Sequence, residues 1–378
     1  MTLESLKFQG SRLREAREAR ALSQVALADL LGVSNSSISQ YESGAQFPSA
    51  EIMARICERL NLPAHFFTSP RPRRDQPPLF WRALTAANKT TRESHERRYN
   101  WFRDVISAIT EYVEFPPSNF PDFATPADPN QISEENIEDF ASQLRKYWGL
   151  GDGPISNIIW LIENQGGVVV RGEMGDSKSD AYSDWDGRCY IFLGADKESS
   201  VRSRFDAGHE IGHAILHKNV PESIRRQPSI HRLLETQAHR FAGAFLLPAS
   251  SFPTEIYTPS LQSLLHLKPR WRASVGAMIM RVRQLGLIDE DRHRQLMIQM
   301  SRRGWNRKEP LDDTLEHEKP RLLRRSLDLL LERGIISQEE LTRRTHLWPT
   351  DVEKLLGLPP GYLSEPIPPF SLQLRLSS

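Results

Sequence analysis

The stretch Arg202-Ser203-Arg204-Phe205-Asp206-Ala207-Gly208-His209-Glu210-Ile211-Gly212-His213-Ala214-Ile215-Leu216-His217 decides how the middle of this 378-residue chain is read. It holds His-Glu-x-x-His within a run of helical period. Ala207, Ile211, Ile215 and Leu216 form an apolar side separate from the histidines. Residues four apart share a helix face, so His209 and His213 can offer two imidazoles to one zinc ion at about 2.0–2.1 Å each. Glu210 is turned off that line but stays close enough to take a proton from water at the metal. Gly208 and Gly212 each cost a helix about 1 kcal/mol relative to Ala. Two of them together predict close approach by another backbone or by a substrate. His217 continues the row, but it lies about 12 Å from His209 at about 1.5 Å per residue. It is expected behind the ligands or at the rim of the site.

A third ligand is found one helix further on. Ile230 to Leu247 reads as a helix with Leu234, Ala238, Phe241, Ala242 and Phe245 on its buried stripe. Glu235 lies beside that stripe, where a carboxylate is costly unless paired. Zinc is a natural partner, since two histidines, one glutamate and a water form an established catalytic set. The alternative is a partly exposed glutamate with no such role. His239 shares the face of Glu235, and could steady a ligand, donate to an oxyanion or stand at the rim.

Upstream, Ile137, Phe140, Leu144 and Tyr147 mark one helical face, and Ile155 to Asn164 a second helix. Val168 to Val170 reads as a short strand. Asp180 to Trp185 and Arg188 to Leu193 read as a hairpin around Asp186-Gly187, a pair suited to positive φ. Arg188 to Leu193 is expected to be an edge strand, to which an extended peptide could add across the metal.

Residues 10–67 read as short helices in quick succession. Ser23, Ser34 and Ser49 sit where N-caps belong, and Gly44 where a helix stops. Two helices joined by Gly32-Val33-Ser34 suggest a helix-turn-helix, its second helix, Asn35 to Ser43, entering a major groove. Prolines 70, 72, 77 and 78 end this domain. Thr91 to Val113 then reads as an amphipathic helix that packs on a neighbouring domain or on a second subunit, making a homodimer possible. A second proline-rich run, Pro116 to Pro129, follows it. Leu322 to Leu356 reads as two or three short helices, one of them capped by Ser337, with an extended tail from Pro366.

Formal net charge is only +1, so the total favours no class of partner, but its distribution is uneven. Residues 1–70 are neutral, residues 71–103 carry nine basic against three acidic groups, and residues 267–308 eleven against three. Either basic segment could face nucleic acid or an acidic partner, or be a solvated helix face. With no Lys or Arg on Asn35 to Ser43 and a neutral domain, phosphate attraction is expected to be weak unless Arg12, Arg14, Arg17 and the segment beyond residue 70 help. Cys57 and Cys189 make neither a disulfide framework nor a thiolate zinc site. No apolar run reaches membrane-spanning length and no signal-peptide pattern opens the chain. A cytoplasmic location without membrane contact is the default expectation.

Two resemblances add to this reading. Leu22-Ser23-Gln24, Leu27-Ala28, Gly32-Val33-Ser34, Ile38-Ser39, Tyr41-Glu42-Ser43-Gly44 and Pro48 resemble the Xre family of DNA-binding domains. That resemblance implies that Gln24, Asn35, Ser36, Ser37 and Gln40 face DNA. Asn and Gln suit adenine edges, and Ser suits phosphates or bases. Arg204-Phe205, His209-Glu210-Ile211-Gly212-His213 with Leu216-His217, Glu235-x-x-Ala238, Phe241-Ala242, Leu246-Leu247-Pro248, Leu267-Lys268, and Trp271 with Ser274 to Arg281 resemble the ImmA/IrrE family of metallo-endopeptidases. This second resemblance covers roughly residues 130–310. It implies a gluzincin-like fold, zinc on His209, His213 and Glu235, Glu210 as general base, and regulatory proteins such as repressors as substrates. His239 departs from the family, which more often has Asn or Asp there.

The expected fold is mainly α with a small β-sheet (α+β). Residues 1–70 form a five-helix helix-turn-helix domain, 71–129 a basic, proline-rich connector, 130–310 the peptidase domain and 311–378 a small helical region. The expected function is a DNA-binding regulator with a Zn2+-dependent endopeptidase that cleaves a repressor- or antitoxin-like partner. His217, His239 and Tyr190 are the candidates for oxyanion donor. The alternative is a transcription factor or toxin–antitoxin component that cleaves nothing and uses the zinc domain as a sensor or interaction surface.

Overall fold

The computed structural model describes residues 8–70, 80–81, 89–172, 181–194, 199–225 and 227–363. The chain divides into two compact units. One comprises Met1–Arg73, Lys89–Glu114 and Leu323–Ser378, the other Arg74–Asn88 and Phe115–Leu322.

The first unit opens with α1 (Gly10–Ala19), α2 (Gln24–Leu31), α3 (Asn35–Ser43), α4 (Ala50–Leu60) and α5 (Ala64–Thr68). Their ends fall where the sequence places caps. Ser23, Ser34 and Ser49 accept from the backbone N–H of Ala26, Ser37 and Ile52, and each such cap stabilises its helix by about 1 kcal/mol. Gly44 ends α3 at φ 76°, a left-handed conformation that costs glycine no Cβ clash. Leu13, Leu27, Leu31, Ile38, Ile56, Leu60 and Phe66 are fully buried.

Charge is buried in this unit as well. Glu42 accepts from Arg17 Nε at 2.5 Å and from Gln24 Nε2 at 2.8 Å. Arg12 lies over the Phe66 ring and donates to Glu15 and the Phe66 carbonyl. Arg12 and Arg17, expected to help attract phosphate, are instead taken up inside the domain. Arg14 keeps a half-exposed side chain. Helix α6 (Lys89–Thr110) packs along α1. Trp101 Nε1 donates to Glu15 at 2.7 Å, Arg97 to Glu18 at 2.8 Å and Ser94 to the Ala19 carbonyl at 2.9 Å.

The second unit contains α7 (Glu134–Tyr147), α8 (Ile158–Asn164), α9 (Ser200–Leu216), α10 (Glu222–Arg225), α11 (Pro228–Leu246), α12 (Leu261–Trp271), α13 (Val275–Gln284) and α14 (Glu290–Arg302). Its sheet is built from β1 (Phe80–Trp81), β2 (Val168–Gly172), β3 (Ala181–Trp185) and β4 (Cys189–Gly194), in the order β1-β3-β4-β2. The β3–β4 hairpin turns at Gly187, φ 65°. The strand expected at the edge proves to be interior, because β2 pairs in parallel with β4 on the side away from β3. Ala181, Cys189, Ile191 and Leu193 join a core with Ala207, Ile211, Ile215, Phe241 and Phe245. Tyr182 stacks on Phe192 on the opposite face, as the two-residue period of a strand requires. Of the face read on α7, Ile137 and Leu144 are buried, whereas Tyr147 is exposed.

Helices α9 and α11 pack closely. A Cβ on Gly212 would lie 3.2 Å from both Cα and O of Ala238. The close approach expected at that glycine is therefore the backbone of α11.

Beyond α14, residues 305–322 remain with the second unit, held by buried charge. Lys268 Nζ meets Glu309 at 2.8 Å and Asp312 at 2.7 Å. Glu318 pairs with Arg204 and accepts from the backbone N–H of Ile158 at 2.8 Å. Glu163 accepts from the N–H groups of Arg321 and Leu322. The chain then forms α15 (Leu322–Glu332), α16 (Gln338–Thr345) and α17 (Pro349–Leu356). These return to the first unit, where Asp351 takes both Nη atoms of Arg20 at 2.8 Å. The units thus run differently from the four segments read from the sequence. The 71–129 stretch is shared between them, and residues 311–322 lie with the second unit. The tail from Pro366 lies outside the described residues. No described helix is long and apolar enough to cross a membrane.

Candidate metal centre

His209 and His213 leave α9 one turn apart and meet Glu235 from α11. Their Nε2 atoms are 3.0 Å apart. Glu235 Oε2 is 3.3 Å from His209 Nε2, and Oε1 is 3.3 Å from His213 Nε2. Donors at about 2.0–2.1 Å from a tetrahedral ion stand about 3.3 Å from one another. The group therefore has the donor types and the spacing of a zinc site. His209 and His213 are buried, and Glu235 is 18% exposed.

The electrostatics agree with this. Burial holds the pKa of His209 well below the usual imidazole value, and His213 and His239 push the same way against Glu235. Burial alone would raise the Glu235 carboxyl, but its contacts with the His209 and His213 rings outweigh it and keep it below the carboxylate range. A neutral ring with a lone pair beside an ionised carboxylate is what a cation requires of its ligands.

A chain of hydrogen bonds settles the tautomer of His213. Gln237 Nε2 donates to the carbonyls of Pro129 at 2.8 Å and Ile132 at 3.1 Å. Both amide hydrogens are then used, so Gln237 Oε1 accepts from His217 Nε2, 3.1 Å away. With its proton on Nε2, neutral His217 accepts at Nδ1 from His213 Nδ1, at 2.9 Å. His213 Nε2 is left as a lone pair facing Glu235 and His209. His217, fully buried on the far side of the His213 ring, is therefore away from the position of an oxyanion donor. The amide of Gln237 is a functional group that the sequence reading missed. Its signal was a polar side chain next to the apolar stripe of α11.

Glu210 is fully buried and accepts a hydrogen bond from Ser183 Oγ of β3. Ser183 was also missed. It was one polar residue in an alternating strand until its partner was known. Tyr190 pairs in register with Asp184, not with Ser183. Residues directly opposite share a face, so Tyr190 lies on the sheet face turned away from Glu210. That corrects its candidacy as oxyanion donor. His239 does reach the site. Its ring centre is 4.6 Å from that of His209 and 5.6 Å from that of Phe205. It also lines a cavity of about 790 Å³ together with Phe205, Thr236, Met280 and Met300.

In the first unit, Asn35 and Ser36 are exposed and Gln40 half-buried on α3. The Ser37 hydroxyl is 2.8 Å from Ser34 Oγ within the cap, and the Gln24 amide is turned onto Glu42. The structure therefore presents three of the five side chains outward and engages two internally.

Residues 10–65 match the helix-turn-helix domain family, a DNA-binding module. Residues 162–283, which contain His209, His213 and Glu235, match the IrrE N-terminal-like domain, a peptidase family. The chain is also 38% identical over 65 residues to the HTH-type transcriptional regulator PrpR of Mycobacterium tuberculosis (strain ATCC 25618 / H37Rv). That stretch is 17% of this chain and 13% of the regulator.

Proposed function

We propose that this chain, a helix-turn-helix domain joined to an IrrE N-terminal-like domain, is a DNA-binding regulator that also acts as a zinc endopeptidase on a regulatory protein. The observation that carries the reading is the convergence of His209, His213 and Glu235 from α9 and α11. These three would hold the ion. Three protein ligands leave a fourth position open, which favours a catalytic over a purely structural role. Zinc, when bound, supplies Lewis acidity that polarises a carbonyl and acidifies water.

The remaining chemistry belongs to the chain. Glu210 takes a proton from the attacking water and passes it to the leaving amine nitrogen. Ser183 orients that carboxylate through its hydrogen bond. His217 and Gln237 orient His213. His239 is the side-chain donor best positioned for the oxyanion, and the cavity beside it offers room for a substrate side chain. On DNA, Asn35, Ser36 and Gln40 would read bases or phosphates from the exposed side of α3.

The test is Glu210→Gln. Purified wild-type protein loaded with zinc is incubated with regulatory proteins encoded beside it, and fragments are identified by mass spectrometry. The variant should still bind one zinc per chain and produce no fragments. Regulation in cells that is unchanged by Glu210→Gln would defeat the peptidase reading.

A further inference from the structure

The outer edge of β3 is already occupied. On one side β3 pairs with β4; on the other it pairs antiparallel with β1, placing Phe80 opposite Ser183 and Trp81 opposite Tyr182. Phe80 and Trp81 follow the prolines that close the helix-turn-helix segment. Ser183 is the residue whose hydroxyl holds Glu210, and Glu210 adjoins His209 in sequence. The edge covered by β1 therefore lies one side chain away from the proposed base.

An extended peptide that binds by adding a strand needs the outward N–H and C=O groups of an edge strand. Those groups pair with one neighbour at a time. β4 is flanked on both sides by β3 and β2, so the edge available on the Glu210 side of the sheet is that of β3. We infer that Phe80–Trp81 is an intramolecular occupant of the substrate edge, which an incoming peptide must displace. Calling the edge a substrate edge rests on the peptidase reading above. Its occupancy by the chain's own residues does not.

A two-residue strand is a weak ligand in isolation. Tethered, it acts at an effective concentration on the order of millimolar. It can hold the edge against chance contacts and still yield to a partner that pairs over more residues. If the edge is open about a tenth of the time, removing the occupant raises the apparent affinity for peptide about tenfold.

The test uses the full chain carrying Glu210→Gln, so that nothing is cleaved. In an antiparallel pair, alternate residues turn their N–H toward the neighbour. One of Phe80→Pro and Trp81→Pro therefore removes a pairing N–H, while the other removes an outward one, which an edge strand tolerates. Amide hydrogen exchange of Ala181–Trp185 should rise about tenfold in one single variant and stay near the parent level in the other. A synthetic peptide of residues 74–88 at millimolar concentration should restore protection in the responsive variant. Equal exchange in the parent and both variants would overturn the inference, as would failure of the peptide to restore protection. General unfolding would raise exchange in both variants and in β2 and β4 also, and this too counts against it. The readout involves no cleavage. Fragmentation is read separately, on the zinc-loaded protein with Glu210 intact: altered exchange in the variants with no fragmentation there would retain the occupant and refute the peptidase, and fragmentation with unaltered exchange would do the reverse.

Discussion

His217 stands directly behind His213, with the two Nδ1 atoms 2.9 Å apart. The bond passes the preference of the Gln237 amide through one ring to the next and leaves the Nε2 lone pair of His213 facing the ligand group. Partners of this kind typically contribute ten- to a hundredfold to metal affinity. His217→Leu should weaken zinc binding by about that factor while α9 stays folded. Gln237→Leu should weaken it less, because His217 could then choose either tautomer. Competition with a chromophoric chelator measures both, and an affinity equal to wild type in His217→Leu would refute the relay.

The buried rings also set a pH dependence for the metal-free protein. Burial, with the neighbouring imidazoles, holds His209 and His217 well below the usual value. Above about pH 6.5, the value expected in the unfolded chain, the rings are neutral in both states and contribute no slope. Below it the unfolded rings take up protons that the folded ones refuse, so stability is lost as pH falls. The lowered Glu235 carboxyl acts in the same direction in a more acidic window. Urea midpoints of the metal-free protein should therefore fall from pH 7 to pH 5. A flat profile would contradict the neutral, buried assignment.

What could be read from the sequence, and what could not, follows the range of each interaction. His209, Glu210 and His213 lie within one helical turn, and Glu235 shows itself as an acid beside an apolar stripe. Local spacing sufficed for both. The link from His217 to Gln237 and on to the Pro129 and Ile132 carbonyls spans three separate segments, so no local period records it. The β3–β4 hairpin was legible in Asp186-Gly187, but the edge was assigned to the wrong strand, since edge status depends on distant β1 and β2. Arg12 and Arg17 look like free cations in sequence. Arg12 has a local partner in Glu15, one helical turn on, but Glu42 lies 25 residues from Arg17, and nothing local announces that pairing.

Glu318 offers a test of the way residues 305–322 are anchored. Its carboxylate and the Arg204 side chain are each 3% exposed, and it also accepts from the N–H groups of Ile158 and Ile159. Glu318→Ala would leave the Arg204 guanidinium, still donating to the Ile155 and Arg272 carbonyls, and a helix N-terminus buried without their carboxylate. Removal of one partner from such a pair costs about 3–5 kcal/mol. Glu318→Gln keeps an acceptor oxygen and should cost less. Chemical denaturation, followed through a probe within the second unit, separates the two. A loss below about 1 kcal/mol in Glu318→Ala would show that water had replaced the pair, as it does at exposed sites.

The helix-turn-helix domain divides its five candidate side chains by what they already touch. Asn35 is exposed and Gln40 half-buried on α3, and a good bidentate contact to a base discriminates by about 1–3 kcal/mol. Asn35→Ala and Gln40→Ala should therefore weaken binding to the cognate operator and relax sequence preference. Ser37→Ala should leave binding nearly unchanged, because its hydroxyl is engaged with Ser34. Gln24→Ala should lower thermal stability more than DNA affinity, because it removes a donor from buried Glu42. With Arg12 and Arg17 turned inward, few phosphates are neutralised by this domain, so the salt dependence of its binding should be shallow. Fluorescence anisotropy on a selected operator, over a salt series, measures all of these effects. A steep salt slope, or a large loss on Ser37→Ala, would contradict this view of its surface.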